Sequence, residues 1–294
     1  MTRRALPLWL SVLLSCAADT NPPPISVAAR CAEQAGTIDA GKIADLELKE
    51  ASGLAASIEQ ADLLWSHNDS GDQARLFALS KTGKARGRLY LDGVTAVDME
   101  DIALARDLTG QSYLYAADIG DNLRARTSVS IYRVREPVLA SAAIDTHVTP
   151  EVMTFTYPDS VAYDAETILV DPRSSEIYVV TKEKGAGKLF RLGAFASGNS
   201  VATEVGLVPV DTATGGNFAP DGKSIVVRDY SGTAKLWPVG EKQSVLDALK
   251  EAPCSVNVGL ELQGEAICFD TDSKRIFTMS EGISTVLHLT EPAP

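Results

Sequence analysis

Residues 165–183 read AETILVDPRSSEIYVVTKE, and this stretch indicates the fold that we expect. Two apolar runs, ETILV and EIYVV, flank DPRSSE, a segment rich in turn-forming residues. The runs are short and contain β-branched and aromatic residues, which is typical of strands. The stretch therefore predicts two strands joined by a tight turn.

The same pattern starts at five places in the chain. The five starting segments are ASGLAAS (51–57), MEDIALA (99–105), AETILVD (165–171), GGNFAPD (215–221) and GEAICFD (264–270), aligned at Ser52, Glu100, Glu166, Gly216 and Glu265. A second, a third and usually a fourth apolar run follow each start. Four short strands in every 45–50 residues are the sequence signature of a β-propeller.

The repeats predict an all-β fold, a β-propeller of five four-stranded blades. The last repeat lacks a fourth strand, and KIADLEL (42–48) is a strand with no repeat of its own. We expect this N-terminal strand to complete the last blade, because closure removes exposed strand edges. Six blades are the alternative, since the long interval between Glu100 and Glu166 could hold another hairpin. SVLDALKEA (244–252) is the one predicted helix.

The N-terminus predicts export. MTRRALPLWLSVLLSC has two arginines, an apolar run and a terminal LLSC that resembles a bacterial lipobox. We expect a signal peptide at 1–15, a lipidated Cys16 with a tether at 16–41, and one propeller domain at 42–294. The protein would then lie in the bacterial cell envelope, on the membrane through its lipid anchor only. A plain secretory signal is the alternative.

The remaining cysteines fit an oxidising compartment, where disulfides form. Cys31 and Cys254 lie in irregular segments and are the predicted pair. Cys268 lies within an apolar run and is expected to be a buried free thiol.

The charge of the chain excludes one class of partner. Lys and Arg number 27 and Asp and Glu 39, a net charge of −12. Nucleic acids and anionic lipids need a basic surface, so neither is an expected partner of this protein. A monomer that attracts cations is expected.

Propeller geometry predicts where the acidic residues meet. The first strand of each blade lines the central channel, and its start lies beside the end of the second strand. One end of the channel, here called the mouth, should therefore gather acidic residues from several blades. The predicted metal ligands are Asp69, Glu100, Asp118, Glu166 and Glu265. Carboxylates this close repel one another unless a cation lies between them, and oxygen ligands suit Ca²⁺.

Two structural roles for these residues are the alternatives to a metal site. NDSGD (68–72) and ADIGD (117–121) are good turn sequences, in which the carboxylates bond to backbone N–H groups. The glutamates could instead form salt bridges with Lys182 and Arg228.

Segments from most of the blades resemble a group of exported bacterial propeller proteins, described as phytase-like or esterase-like. They are SGLAAS, WSHNDSGD, DMEDIAL, YLYAADIGDN, AETILVDP, IYVVTKE and QGEAICFD, within a resemblance that covers roughly residues 42–290. Propeller phytases hold calcium at an acidic mouth and hydrolyse phosphomonoesters there. The resemblance implies that the glutamates and Asp69 and Asp118 bind calcium, and that Lys182 and Arg228 bind phosphate.

Two hypotheses of function follow. In the first, a lipid-tethered module binds a cation at the mouth, together with a small anionic ligand held through calcium or a basic protein partner. In the second, the protein is a calcium-dependent hydrolase of phosphoesters or other esters, with Asp69, His67, Lys182 and Arg228 as candidate catalytic residues. Whether the protein is an enzyme is left open by its sequence.

Overall fold

The computed structural model describes residues 34–140 and 145–292, which form five small sheets around a central channel. In chain order the strands are β1 (Gln34–Lys42), β2 (Ala51–Ala56), β3 (Leu63–Asn68), β4 (Arg75–Ser80), β5 (Ala85–Leu91), β6 (Met99–Arg106), β7 (Ser112–Asp118), β8 (Val129–Arg135), β9 (Thr146–Val148), β10 (Glu151–Thr156), β11 (Ala165–Val170), β12 (Glu176–Thr181), β13 (Gly187–Ala194), β14 (Gly198–Val201), β15 (Thr203–Val208), β16 (Gly215–Phe218), β17 (Ser224–Arg228), β18 (Thr233–Pro238), β19 (Cys254–Asn257), β20 (Gly264–Phe269), β21 (Ile276–Ser280) and β22 (Val286–Pro292). A 3₁₀ turn (Pro158–Ser160) and a helix, α1 (Val245–Leu249), complete the described elements.

The five sheets are the blades of a propeller, as predicted. From the channel outward they are β2–β3–β4–β5, β6–β7–β8–β10, β11–β12–β13–β15, β16–β17–β18–β19 and β20–β21–β22–β1. The described part of the long interval between the second and third repeats holds no further blade, and the chain forms five sheets, so the six-bladed alternative is wrong. Part of that interval is β9, which pairs in parallel with β5 at the edge of blade 1, and β14 pairs in parallel with β10 at the edge of blade 2.

An N-terminal strand closes the ring, but the predicted position of that strand is wrong. The closing strand is β1, which pairs antiparallel with β22 from Gln34 to Lys42. The predicted segment 42–48 is mostly a loop that leads into blade 1. Its apolar residues have another role: Ile43 and Leu48 are each 1% exposed and anchor this loop in the core between blades 5 and 1.

Of the strands that line the channel, β2, β11 and β20 are buried along their whole length. They do not alternate between buried and exposed residues because neighbouring blades cover both faces of each sheet. Aromatic side chains fill the spaces between blades. Trp65 of blade 1 packs with Leu114 of blade 2, and Trp237 of blade 4 packs with Tyr178 of blade 3.

The predicted helix is present but short, because α1 has five residues and buries Val245, Ala248 and Leu249. No helix among the described residues has the length and apolar character needed to cross a membrane. Cys268 is free and buried, as predicted. Cys254 is disulfide-bonded. Its predicted partner Cys31 lies outside the described residues, as do Cys16 and the expected signal peptide.

Candidate metal centre

A repeated β-bulge delivers the predicted acidic side chains to the mouth. In blades 1, 2, 3 and 5 the pairing of the first two strands skips one residue near the start of the first strand. The skipped residues are Ser52, Glu100, Glu166 and Glu265. A bulge changes the direction of a side chain relative to the regular strand. In blade 4 the first two strands pair without such a shift. The residue at this position is Gly216, which has no side chain to contribute.

Five carboxylates form two adjoining groups. The outer group consists of Asp69, Asp98 and Glu100, and the inner group of Glu100, Asp164 and Glu166. Within each group, one oxygen from each residue lies within 4.8 Å of the others. All three residues of the inner group are buried, whereas Asp69 and Asp98 are half-buried. The bulged Glu100 belongs to both groups.

Several oxygens at the mouth are buried without a hydrogen-bond partner. They are Oδ1 of Asp69, Oε2 of Glu166 and Oε2 of Glu265. Glu166 is 1% exposed and Glu265 5%. A buried carboxylate oxygen without a partner is costly, and native proteins almost always satisfy such groups. Asp69 and Glu166 each belong to a carboxylate group, so their free oxygens fit the ligand set of a cation, whereas the predicted ligand Glu265 belongs to neither group.

A lysine and a tyrosine hold two of the glutamates by one oxygen each. Lys182 Nζ donates to Glu166 Oε1 (2.7 Å) and to the Tyr230 hydroxyl (3.1 Å). The Tyr230 hydroxyl donates to Glu265 Oε1 (2.7 Å). Burial alone would lower the pKa of Lys182, but the adjacent Glu166 holds that pKa above its ordinary value. The predicted salt bridge thus exists at Lys182, and it leaves the second oxygen of each glutamate free.

Crowding and burial shift the pKa values of the mouth carboxyls upward. Burial, reinforced by neighbouring carboxylates, raises the pKa of Asp69 to about 7. Burial also raises the pKa of Glu166 to about 8, although Lys182 partly offsets it. The same two causes, burial first, raise the pKa of Glu100 well above its usual range. Without a cation these carboxyls keep their protons to a higher pH than ordinary carboxyl groups do.

We expect the ion-free protein to lose stability as the pH rises from about 4.5 to about 8. In the unfolded chain Asp69 and Glu166 lose protons near 3.8 and 4.5, but in the folded state near 7 and 8. The folded state therefore binds more protons in this window, and raising the pH favours unfolding. Thermal melts in EDTA at pH 5 and pH 8 measure the effect. A melting temperature that is higher at pH 8 would contradict it.

The two Asp-x-Gly-Asp turns look alike in sequence but are not equivalent in the structure. Asn68 pairs with Ala51, and Asp118 pairs with Met99, at the same place in blades 1 and 2. Asp118 therefore corresponds to Asn68 and not to Asp69. This offset explains why Asp118 belongs to neither carboxylate group.

Asp118 and Asn68 share a structural role. Asn68 Oδ1 accepts from the backbone N–H groups of Lys49 and Glu50. Asp118 accepts from those of Val97 and Asp98. Arg126 Nη1 also contacts Asp118 at 2.8 Å. Asp118 thus fixes the loop that carries Asp98, and its oxygens are already engaged.

The second aspartate of each turn stabilises the local loop, as a turn sequence predicts. Asp72 is paired with Arg75 (2.8 Å). Asp121 accepts from the backbone N–H groups of Ala125 (2.9 Å) and Arg126 (2.7 Å). Of the four aspartates in these turns, only Asp69 belongs to a carboxylate group at the mouth.

The glycines of the two turns are needed for different reasons, and this gives a matched pair of variants. A Cβ at Gly120 would lie 2.1 Å from Glu100 Oε1 and 2.6 Å from Asp98 Oδ2. Gly71 has a φ of +76° and open space around it. We expect Gly120→Ala to displace the carboxylates and lower calcium affinity at least tenfold. Gly71→Ala should instead cost roughly 1 kcal/mol of backbone strain and keep the affinity.

Calcium titrations of both variants, followed by calorimetry, measure this contrast. Equal calcium affinities in the two variants would contradict the placement of Glu100 and Asp98 against Gly120.

Two candidate catalytic residues are buried away from solvent. His67 is fully buried, its Nδ1 lies 2.9 Å from the Asn68 carbonyl oxygen, and burial lowers its pKa to about 4. Arg228 is also fully buried. It donates from Nη1 to Glu261 Oε2 (2.8 Å) and to the Ala266 carbonyl (3.1 Å), at the junction of blades 4 and 5. Asp69 and Lys182 are the candidates that reach the mouth.

Three functional candidates escaped the sequence analysis: Asp98, Asp164 and Tyr230. Asp98 and Asp164 each stand two residues before a bulged glutamate, in the triplets DME (98–100) and DAE (164–166). This shared Asp-x-Glu spacing was a usable signal. Tyr230 follows β17 in blade 4, and the packing of blade 4 against blade 5 brings its hydroxyl to Glu265.

Comparisons with known proteins yield a distant structural likeness and no family. No family model matches the chain, and no curated protein matches it. Among solved structures, the chain is similar to a protein from Bacteroides uniformis that carries the provisional name 6-phosphogluconolactonase, with 14% identity and a TM-score of 0.40. The alignment covers 78% of this chain and 64% of that one, so this chain spans less than two thirds of its length. A likeness of this size carries no argument about activity.

Proposed function

We propose that this protein is a propeller module that binds Ca²⁺ at its mouth and, through the ion, a small anionic ligand. One observation carries the proposal: Glu166 is buried, one of its oxygens has no hydrogen-bond partner, and it belongs to a group of three buried carboxylates. A cation there satisfies this oxygen and neutralises the group at the same time.

The donor set selects the kind of cation. Both groups of candidate ligands consist of carboxylates alone, with no histidine or cysteine among them. Hard oxygen ligands favour Ca²⁺ or Mg²⁺ over zinc or copper. Calcium accepts six to eight oxygens in flexible geometry, whereas magnesium demands a near-ideal octahedron and keeps its waters. A crowded ring of carboxylates therefore supports calcium as the resident ion.

The mouth also has features that suit an anionic ligand. Asp69 and Asp98 are half-buried, so the outer group is open to solvent. The Lys182 side chain is 22% exposed beside the inner group. When bound, calcium would supply coordination positions for an oxyanion, and the Lys182 ammonium would face the same ligand. A basic protein partner would compete with the ion for this surface, so calcium should weaken its binding.

The proposal is tested by isothermal titration of the EDTA-treated protein with calcium. Glu166→Gln removes a buried ligand, and Glu204→Gln is the control, since Glu204 pairs with Lys188 on the exposed side of blade 3. We expect calcium to bind the wild type and the control alike, and Glu166→Gln at least tenfold more weakly. Inorganic phosphate should then bind only the calcium-loaded protein. Absence of calcium binding to the wild type would overturn the proposal.

Hydrolysis of phosphoesters or other esters is the second candidate function. It is favoured by the position of Asp69, whose Oδ1 has no hydrogen-bond partner, and of Lys182 at the same mouth. Asp69 would accept a proton from the attacking water, and Lys182 would stabilise the developing negative charge. A bound cation would supply Lewis acidity.

A panel of phosphomonoesters and carboxylic esters, with calcium and with EDTA, separates the two functions. Turnover that EDTA abolishes and Lys182→Met reduces would favour the hydrolase. Binding of phosphate without any turnover would favour the binding module.

We also propose that the protein is exported and held in the cell envelope through a lipid on Cys16. The support is the sequence pattern of residues 1–16 alone. Cys16→Ser should move the protein from the membrane fraction to the soluble fraction, and full retention of this variant in the membrane fraction would contradict the proposal.

A further inference from the structure

We propose that the mouth holds two cations bridged by Glu100. The inner cation lies between Glu100, Asp164 and Glu166, and the outer cation between Glu100, Asp69 and Asp98. This inference rests on the proposed function and deepens it, because it assigns the number of ions and the place of the ligand.

The distances support two ions. Calcium binds oxygen at about 2.3–2.6 Å, so oxygens on opposite sides of one ion lie about 5 Å apart at most. The ligand oxygens within each group lie within 4.8 Å of one another, and each group therefore matches one ion. The structure groups the five carboxylates as two sets of three that share Glu100, and not as one set of five.

Glu100 is suited to bridge the two ions. It is 2% exposed, and no described residue donates a hydrogen bond to its Oε1. Its Oε2 has only a long contact of 3.4 Å with the Ser52 hydroxyl, which bonds instead to the Glu100 carbonyl. Both carboxylate oxygens are thus available, one for each ion.

The charge of the two groups also supports more than one ion. Fully ionised, their five carboxylates carry five negative charges, and Lys182 supplies one positive charge through its bond to Glu166. One divalent ion leaves these groups negative, and the nearby Glu265 adds to that negative charge. A second divalent ion compensates most of the remaining repulsion between the ionised carboxylates.

The inner and outer ion positions differ in burial, and this difference gives the two ions different roles. The inner group is buried and fixed: Asp164 Oδ1 accepts from the Asp121 backbone N–H at 2.8 Å, and Glu166 is held by Lys182. The outer group includes the half-buried Asp69 and Asp98 and faces solvent. The inner ion therefore stabilises the ring of blades, and the outer ion binds the oxyanion.

The test is the number of calcium ions per chain, measured by equilibrium dialysis of the full chain. We expect two for the wild type and one for Asp98→Asn, which should keep most of its thermal stabilisation by calcium but lose binding of inorganic phosphate. Asp69→Asn, a second variant of the outer group, should behave in the same way. Asp92→Asn is the control, because Asp92 is exposed and pairs with His147, and it should bind two.

The outcomes separate this inference from the proposed function. One calcium ion per wild-type chain would overturn the bridged pair and leave the calcium-binding function standing. No calcium would overturn both. Two ions in Asp98→Asn and Asp69→Asn, with phosphate binding intact, would refute the assignment of the outer site.

Discussion

A chain that lacks strand β1, residues 34–42, is expected to yield no folded monomer. β1 is the outermost strand of blade 5 and pairs with β22 along its length. It also joins blade 5 to blade 4, because the Thr37 hydroxyl donates to the Asn257 carbonyl at 3.1 Å. Its removal exposes the whole edge of β22, which then becomes a template for aggregation.

Size-exclusion chromatography and circular dichroism measure this effect. The control is a chain that begins at residue 20, which keeps β1 and should remain monomeric with a cooperative melt. A monomeric protein without β1, with an unchanged melting temperature, would show that the ring does not depend on this closure.

Substitution of Glu166 by glutamine is expected to raise the stability of the ion-free protein and to remove most of its response to calcium. Near pH 7 the buried glutamate must either take up a proton or carry a charge among neighbouring carboxylates that Lys182 compensates only in part, because burial raises its pKa to about 8. Glutamine does neither, and its oxygen still accepts from Lys182. The calcium response disappears because an inner ligand has lost its charge.

The size of the lost response can be estimated. A ligand at a hundredfold excess over its dissociation constant stabilises the folded state by about 2.7 kcal/mol. For a domain of this size that corresponds to roughly 5–10 °C in melting temperature. Thermal melts of Glu166→Gln and of the Glu204→Gln control, each with EDTA and with calcium, check both parts. A variant that is less stable than the wild type in EDTA would contradict the repulsion that we infer among the carboxylates of the mouth.

The sequence predicted the blades and the bulged glutamates because both follow from a repeated pattern. Fully buried strands separated by turn residues recur five times, and Glu100, Glu166 and Glu265 fall at one position of that repeat. The pattern of apolar residues reports burial in the ring, so it located most strands well. The repeat also predicted that Glu100, Glu166 and Glu265 lie at one end of the channel.

Other features depend on details that an apolar pattern does not report. One such detail is the strand register, which makes Asp118 equivalent to Asn68 and not to Asp69. The apolar pattern does not reveal this difference of one residue, because the two strands have similar sequences. The closing strand was misplaced because Ile43 and Leu48, which anchor a loop in the core, give this loop the apolar content of a strand. Arg228 was assigned to the mouth from its place at the end of β17, but its side chain turns into the junction of blades 4 and 5.

A cation that completes the mouth of this propeller must stabilise the folded chain, and a calcium series of thermal melts shows whether it does. The melting temperature of the EDTA-treated full chain is recorded near pH 7.5 while free calcium is raised from nanomolar to millimolar. Calcium that binds the folded state alone must stabilise it, so we predict a melting temperature that rises continuously with the logarithm of calcium above the dissociation constant. A melting temperature that stays constant over the whole range would contradict the presence of this cation site.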